Sequence, residues 1–254
     1  MQSTQSAILE KVNIRHGFIK KNTIDNLFEM NFTRDDYDKR KNSYNALESN
    51  INSEILGINQ IHSNKILTVN NVNHFSVLQN NYNIEKLPKA DGLISEIKGT
   101  TIVIQAADCV PVLIINKNKT IIAGIHSGWR GTLSGINQEM IAKLEDMGYL
   151  AKDLIIILGP SIMQKSYEVD KDFMQDFIKK DASSVIYFNP SEEKKDKYYF
   201  NNSEYMHKIF ENLGVGIIEN IDIDTYANED FYSHRAYKRG IKAQGMNVSF
   251  ICLD

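Results

Sequence analysis

Ala123-Gly124-Ile125-His126-Ser127-Gly128-Trp129-Arg130-Gly131-Thr132 reads as the end of a buried strand passing through a turn into a helix. The apolar run Thr120 to Ile125 supplies the strand, and Leu133, Ile136, Met140, Ile141, Leu144 and Met147 follow at the spacing of one helix face, which stops near Gly148. A histidine, a guanidinium, the single tryptophan and three glycines therefore share one strand-to-helix turn. Side chains and free backbone N–H groups converge on small ligands at such turns.

Working outward, β-branched runs alternate with turn signals. Thr101 to Gln105, Val110 to Ile115 and Thr120 to Ile125 read as consecutive strands, with Asn116 to Lys119 closing a hairpin. Leu154 to Leu158 is a further buried strand, ended by Gly159-Pro160. Two helices follow, one capped by Asp170 with Phe173, Phe177 and Ile178 inward, the other from about Ser203 to Leu213 ending at Gly214. Gly216 to Ile223 and Asn247 to Leu253 complete the strands. Asn70 to Asn83, rich in asparagine, and Pro190 to Lys197, rich in charge, read as surface loops. No linker or short-period repeat divides the 254 residues, so one domain is expected.

Composition excludes several classes. With a formal charge of −3 the chain has no basic field to hold a polyanion, so nucleic acid is not an expected partner. Apolar runs are strand-sized, far short of the roughly 20 residues that span a bilayer, so no membrane segment is expected. Cys109 and Cys252 are too few for a disulfide framework, and Met1 to Val12 lacks the design of a secretion signal. The expected location is cytoplasmic.

Three side chains invite metal chemistry. His62 in Gln60-Ile61-His62-Ser63, Cys109 in Ala107-Asp108-Cys109, and His126 offer two imidazoles and a thiolate at strand ends. A catalytic zinc keeps three such protein ligands and an open fourth position. Their spacing is no local zinc signature, and the residues also admit separate explanations, Cys109 as a buried small hydrophobe and His62 as a satisfied polar residue. Arg130, at a helix start, suits an anion such as phosphate, or else an ordinary surface ion pair. Asp108, if the strand continues, points away from the ligand face, as an orienter of a histidine or as a cap. Tyr167-Glu168-Val169 and Phe231-Tyr232-Ser233-His234-Arg235 are polar-aromatic clusters without an assignment of their own, while His16, His74 and His207 read as structural or exposed.

Taken in order, His16-Gly17-Phe18, Gln60-Ile61-His62-Ser63, Ala90-Asp91-Gly92-Leu93-Ile94, Ala107-Asp108-Cys109-Val110-Pro111, His126-Ser127-Gly128-Trp129-Arg130-Gly131, Gly159-Pro160-Ser161-Ile162 with Tyr167-Glu168-Val169, and Phe231-Tyr232-Ser233-His234-Arg235 form a pattern. In it the chain resembles, over most of its length, the laccase-domain family, also described as multicopper polyphenol oxidase-like proteins or YfiH-type purine nucleoside phosphorylases. The resemblance implies an α/β (α+β) fold, a single domain over residues 1–254 with mixed β-sheets flanked by helices in a layered sandwich. It implies zinc on His62, Cys109 and His126, with copper as an adventitious occupant. It also implies phosphorolysis of adenosine, inosine, guanosine or methylthioadenosine with inorganic phosphate, and hydrolytic deamination of adenosine.

On that reading His62, Cys109, His126 and Arg130 are catalytic, Arg130 fixes phosphate, and Asp108, Glu168 and Arg235 contact substrate, Asp108 or Glu168 serving as proton shuttle. The leaving purine needs a proton donor that the sequence does not name. The chain departs from the family pattern at Ser63 and Ser127, where Gly and Ala are usual, at Asp224-Thr225 in place of Cys-Thr, and at Gln244-Gly245 in place of Gly-Arg. Competing readings are a copper polyphenol oxidase, against which six scattered histidines argue, a cysteine hydrolase using Cys109 with His126 as base, and a non-enzymatic nucleoside-binding module.

Overall fold

The computed structural model describes residues 1–22, 30–32 and 35–254. Two large mixed sheets stack face to face. The first has five strands in the order β1 (Ser3–Thr4), β2 (His16–Ile19), β14 (Asn247–Leu253), β6 (Thr100–Ala106) and β3 (Glu54–Leu56). The second has six, in the order β13 (Ile217–Asn220), β9 (Leu154–Leu158), β7 (Val110–Asn116), β8 (Ile122–Ser127), β5 (Gly92–Ser95) and β4 (Ile66–Thr68).

Alternation along the strands builds the layers, because successive side chains point to opposite faces. Ile102 and Ile104 of β6 meet Leu113 and Ile115 of β7 and Ile122 of β8 between the sheets. Val103 faces outward, with Val248 and Phe250 of β14, onto Tyr44, Leu47 and Ile51 of helix α2 (Tyr37–Ile51). Val112 and Ile114, on the other outer face, pack on Ile136, Met140, Ile141 and Leu144 of α5 (Ile136–Asp146) and on Met206 and Phe210 of α7 (Asn202–Asn212). The result is a helix–sheet–sheet–helix sandwich with the apolar strands buried on both faces, which explains their continuous Val/Ile/Leu runs. The sheets approach closely at Gly124, where a Cβ would lie 2.8 Å from Ile104 Cγ1 and 2.9 Å from Ile102 Cγ2.

Smaller elements complete the chain: α1 (Ala7–Lys11), α3 (Val72–Phe75), α4 (Trp129–Ser134), α6 (Lys171–Lys180), α8 (His234–Lys238), and a three-stranded sheet of β10 (Glu168–Asp170), β12 (Lys197–Phe200) and β11 (Phe188–Pro190). Phe177, Phe188 and Phe200 form a separate aromatic core beneath it.

The sequence reading is modified in four places. The helix expected over Leu133 to Met147 is two helices, α4 and α5, because Gly135 adopts φ +89 and closes the first while opening the second. Asn70 to Asn83 is not purely a surface loop, since Phe75 and Val77 within it are buried. The carboxylate of Asp170 pairs with Lys197 and makes no cap hydrogen bond. Finally, β6 and β7 belong to different sheets although only Ala107, Asp108 and Cys109 separate them. Among the described residues no helix is long and apolar enough to cross a membrane.

Candidate active site

The chain passes between the two large sheets at one end of the sandwich three times, over residues 57–65, 107–109 and 221–246. These passages carry His62, Cys109 and the His234-Arg235 pair. His126, near the end of β8, joins them from the second sheet.

His62, Cys109 and His126 come together as expected, their ligand atoms all lying within 4.8 Å of one another. The two imidazoles meet edge to face at 4.7 Å. His62 is exposed, Cys109 half-buried and His126 buried, so the cluster meets solvent mainly through His62. Gly128 makes room for it, since a Cβ there would sit 2.7 Å from Cys109 Sγ.

Asp91 organises this arrangement. Its fully buried carboxylate accepts from the backbone N–H of Ile61 (3.2 Å), His62 (2.9 Å) and Ser63 (2.6 Å), and from the Ser63 hydroxyl (2.8 Å). Three successive amides wrapped on one carboxylate stabilise the left-handed backbone of His62, φ 60, a conformation that costs a non-glycine residue roughly 1–2 kcal/mol. His126 Nδ1–H donates to the same carboxylate at 2.9 Å. That bond fixes the tautomer and leaves Nε2 for the thiolate side, the usual support for a metal-bound histidine. Burial opposes ionisation of Asp91, but the hydrogen bonds from His126 and Ser63 prevail and hold its carboxyl below the usual range.

The thiol and imidazole are coupled in the same way. Burial disfavours a charged Cys109, yet the charge and hydrogen bonds of His126 and His62 draw its thiol well below the ordinary cysteine value. Burial likewise opposes a charged His126, but Cys109 and Asp91 raise its imidazole. A deprotonated sulfur, two imidazoles and an open side suit a borderline-soft cation such as Zn²⁺. The donor set fits a three-ligand metal site.

Beside the cluster lies a cavity of about 260 Å³ lined by His62, Cys109, Trp129, Arg130, Tyr167 and Arg235, among others. Arg130 stacks on Trp129 at 4.2 Å, and Arg235 lies over Tyr167 at 5.5 Å while donating to the Glu168 carbonyl at 2.9 Å. Two guanidiniums thus border one small space. Asp108 also lines it, but the strand does not continue through this residue, which turns at φ 85. Its carboxylate accepts from the Thr225 hydroxyl (2.8 Å) and from Arg235 N–H (2.6 Å), so it caps α8. Glu168 is not brought to the cavity wall; its carboxylate pairs with Lys194 at 2.7 Å, and only its carbonyl serves the site.

Asp91 and Asn202 border the candidate site, and the sequence reading leaves both unassigned there. Asn202 is 4% exposed, lines the cavity, and leaves its Oδ1 without a hydrogen-bond partner among the described residues. The Ala-Asp-Gly step before a strand is the one signal for Asp91, and Asn202 lies just ahead of the helix expected from about Ser203. Of the family departures, Ser63 bonds Asp91 and Ser127 bonds Thr132 through their hydroxyls, and Asp224 takes the Ser166 hydroxyl at 2.6 Å, holding the turn before Tyr167. The other histidines stand apart from the cluster: His16 is buried between Ser6 N–H and the Ile14 carbonyl, His207 bonds Asn220, and His74 is exposed.

A family model described as multi-copper polyphenol oxidoreductase laccase matches residues 12–254. A purine nucleoside phosphorylase of Rickettsia conorii is 32% identical over 224 residues, 84% of this chain and 88% of that protein. The purine nucleoside phosphorylase YfiH of Escherichia coli is 32% identical over 166 residues, 65% of this chain and 64% of that one. Among solved structures, the hypothetical protein YfiH of Bacillus licheniformis has a TM-score of 0.81 at 22% identity, covering 95% of this chain and 93% of its own. YlmD of Geobacillus stearothermophilus has a TM-score of 0.79 at 20% identity, covering 94% and 92%.

Proposed function

As this chain belongs to the multi-copper polyphenol oxidoreductase laccase family over residues 12–254, we propose that it is a zinc-dependent purine nucleoside phosphorylase acting as a single domain. Adenosine, inosine, guanosine and methylthioadenosine are its substrates, with hydrolytic deamination of adenosine as a second reaction. The observation that carries the reading is the His62–Cys109–His126 cluster opening beside a cavity bordered by Arg130 and Arg235. Relatives named as purine nucleoside phosphorylases support it.

In phosphorolysis a phosphate oxygen attacks the anomeric carbon while the glycosidic bond breaks and positive charge develops on the sugar. Arg130 and Arg235 hold the dianion, and their stacking on Trp129 and Tyr167 keeps both forks in place before substrate arrives, which is positioning with electrostatics. Asn202 Oδ1 offers an acceptor to a sugar hydroxyl or an amine. His62, Cys109 and His126 would hold the zinc, which would supply Lewis-acid chemistry there. Asp91 keeps His126 oriented throughout.

Metal-analysed protein incubated with adenosine, with and without phosphate, tests the reading. Adenine formed only with phosphate marks phosphorolysis, and inosine marks deamination; the absence of both products refutes the proposal. Asp91, His126 and Cys109 also form a carboxylate–imidazole–thiol series, which favours a cysteine hydrolase as the second reading. Alkylation separates the two, because a thiolate held by zinc resists iodoacetamide until a chelator is added. For an oxidase, several coppers are needed, and one cluster of ligands exists among the described residues. Protein verified to hold zinc and no copper is therefore expected not to oxidise phenols, since Zn²⁺ has no accessible redox step.

A further inference from the structure

A second cavity, of about 420 Å³, opens on the His126 side of the cluster. Its walls are amide and apolar rather than cationic, with Gln60, Gln105, Gln244, Met246 and Tyr237. The two cavities share a wall made of His62, Ala107, Cys109 and His234. If phosphate occupies the guanidinium side, as the phosphorylase reading on which this inference rests requires, a flat, uncharged heterocycle suits the other side, whose amides are fixed in place by bonds from Gln60 to the Gln105 backbone, from Gln105 to Tyr44 and from Gln244 to Asp35. The bond between sugar and base then lies over the shared wall.

A purine leaves readily only when a proton reaches one of its ring nitrogens. On the shared wall His62 and Cys109 belong to the metal cluster, and Ala107 carries no proton. Tyr167 borders only the first cavity, and burial raises its hydroxyl further out of reach of ionisation. Tyr237 borders only the second. Asp108 has both carboxylate oxygens taken by Thr225 and Arg235. His234 remains.

Its backbone is held firmly while its ring is not. Ser233 caps α8 by accepting from Ala236 N–H at 3.1 Å, and Asp108 accepts from the preceding amide, Arg235 N–H. The imidazole of His234 is exposed and hydrogen-bonds to no protein group among the described residues. Histidine is the side chain most often used as a general acid.

We infer that His234 is the acid that protonates the departing purine. The C1′–N9 bond breaks, its electron pair moves into the purine ring, and a ring nitrogen takes the proton from the His234 imidazolium. A phosphate oxygen closes the new bond to C1′. The products are ribose 1-phosphate and a neutral purine, and the neutral imidazole regains its proton from solvent.

The test compares wild type, His234→Ala and His234→Gln, all assayed for bound zinc, on guanosine and on 7-methylguanosine with saturating phosphate. The second nucleoside carries a cationic base that leaves without protonation. Both variants should keep their zinc and lose about 10²–10⁴-fold in kcat on guanosine, while kcat on 7-methylguanosine stays within about threefold of wild type. Equal losses on both nucleosides, undiminished activity on guanosine, or loss of zinc would each overturn the role given to His234. A wild-type protein inactive on both nucleosides overturns the phosphorylase reading itself, and the inference with it.

Discussion

Five donors from two separate segments meet on the Asp91 carboxylate, so one buried residue sets both the His62 backbone and the His126 tautomer. Purified protein is expected to carry about one zinc per chain. His126→Ala and Cys109→Ala should lose it by elemental analysis, whereas Asp91→Asn should retain binding weakened about 10–100-fold, the usual effect of removing the partner of a ligating histidine. Full zinc content in both ligand variants would refute the assignment. Arg130→Ala is expected to raise the KM for phosphate by about 10–100-fold, the worth of a charge-assisted hydrogen bond, and to spare deamination. Equal losses in the two reactions, measured by steady-state kinetics, would make Arg130 a nucleoside or folding residue. The three members of the cluster were legible in the chain as candidates, two imidazoles and a thiol in strand-flanking motifs, although their spacing alone left separate explanations open. Asp91 was not legible as their organiser, since its partners lie some thirty positions away in sequence.

Elements with strong patterns were equally legible. Val110–Asn116 and Leu154–Leu158 bury every residue, and the Asn116 to Lys119 hairpin forms as its turn residues demand. Helix α2 escaped notice because Arg40 and Ser43 share its buried face with Tyr44 and Leu47, which blurs the apolar period. The short α8 matters more than its five residues suggest, for it presents both His234 and Arg235 to the site. Its first turn is tied to the cysteine turn through Asp108. Asp108→Ala removes that cap and should cost about 0.5–2 kcal/mol of stability while raising the KM for phosphate through a misplaced Arg235. Denaturant midpoints and phosphate titrations check this; an unchanged KM would detach α8 from anion binding.

Across the whole molecule the sandwich leaves little slack between its sheets. Gly124→Ala places a methyl against Ile102 and Ile104, both stiff at their first side-chain torsion, and should destabilise the protein by about 1–3 kcal/mol in chemical unfolding. Stability equal to wild type would mean that the layers can part without penalty. Which strands belong to which sheet could not be read from the chain, since the division turns on three residues between β6 and β7. That division has a consequence for motion. Two of the three passages between sheets at the site end carry one candidate metal ligand each, and the third candidate is rooted in the second sheet. An ion there would rivet the layers together, so the metal-loaded protein should exchange the amide hydrogens of β6 and β8 for deuterium at one shared slow rate. Chelation should split that cooperative unit, letting β3 and β4 open earlier and independently of the central strands.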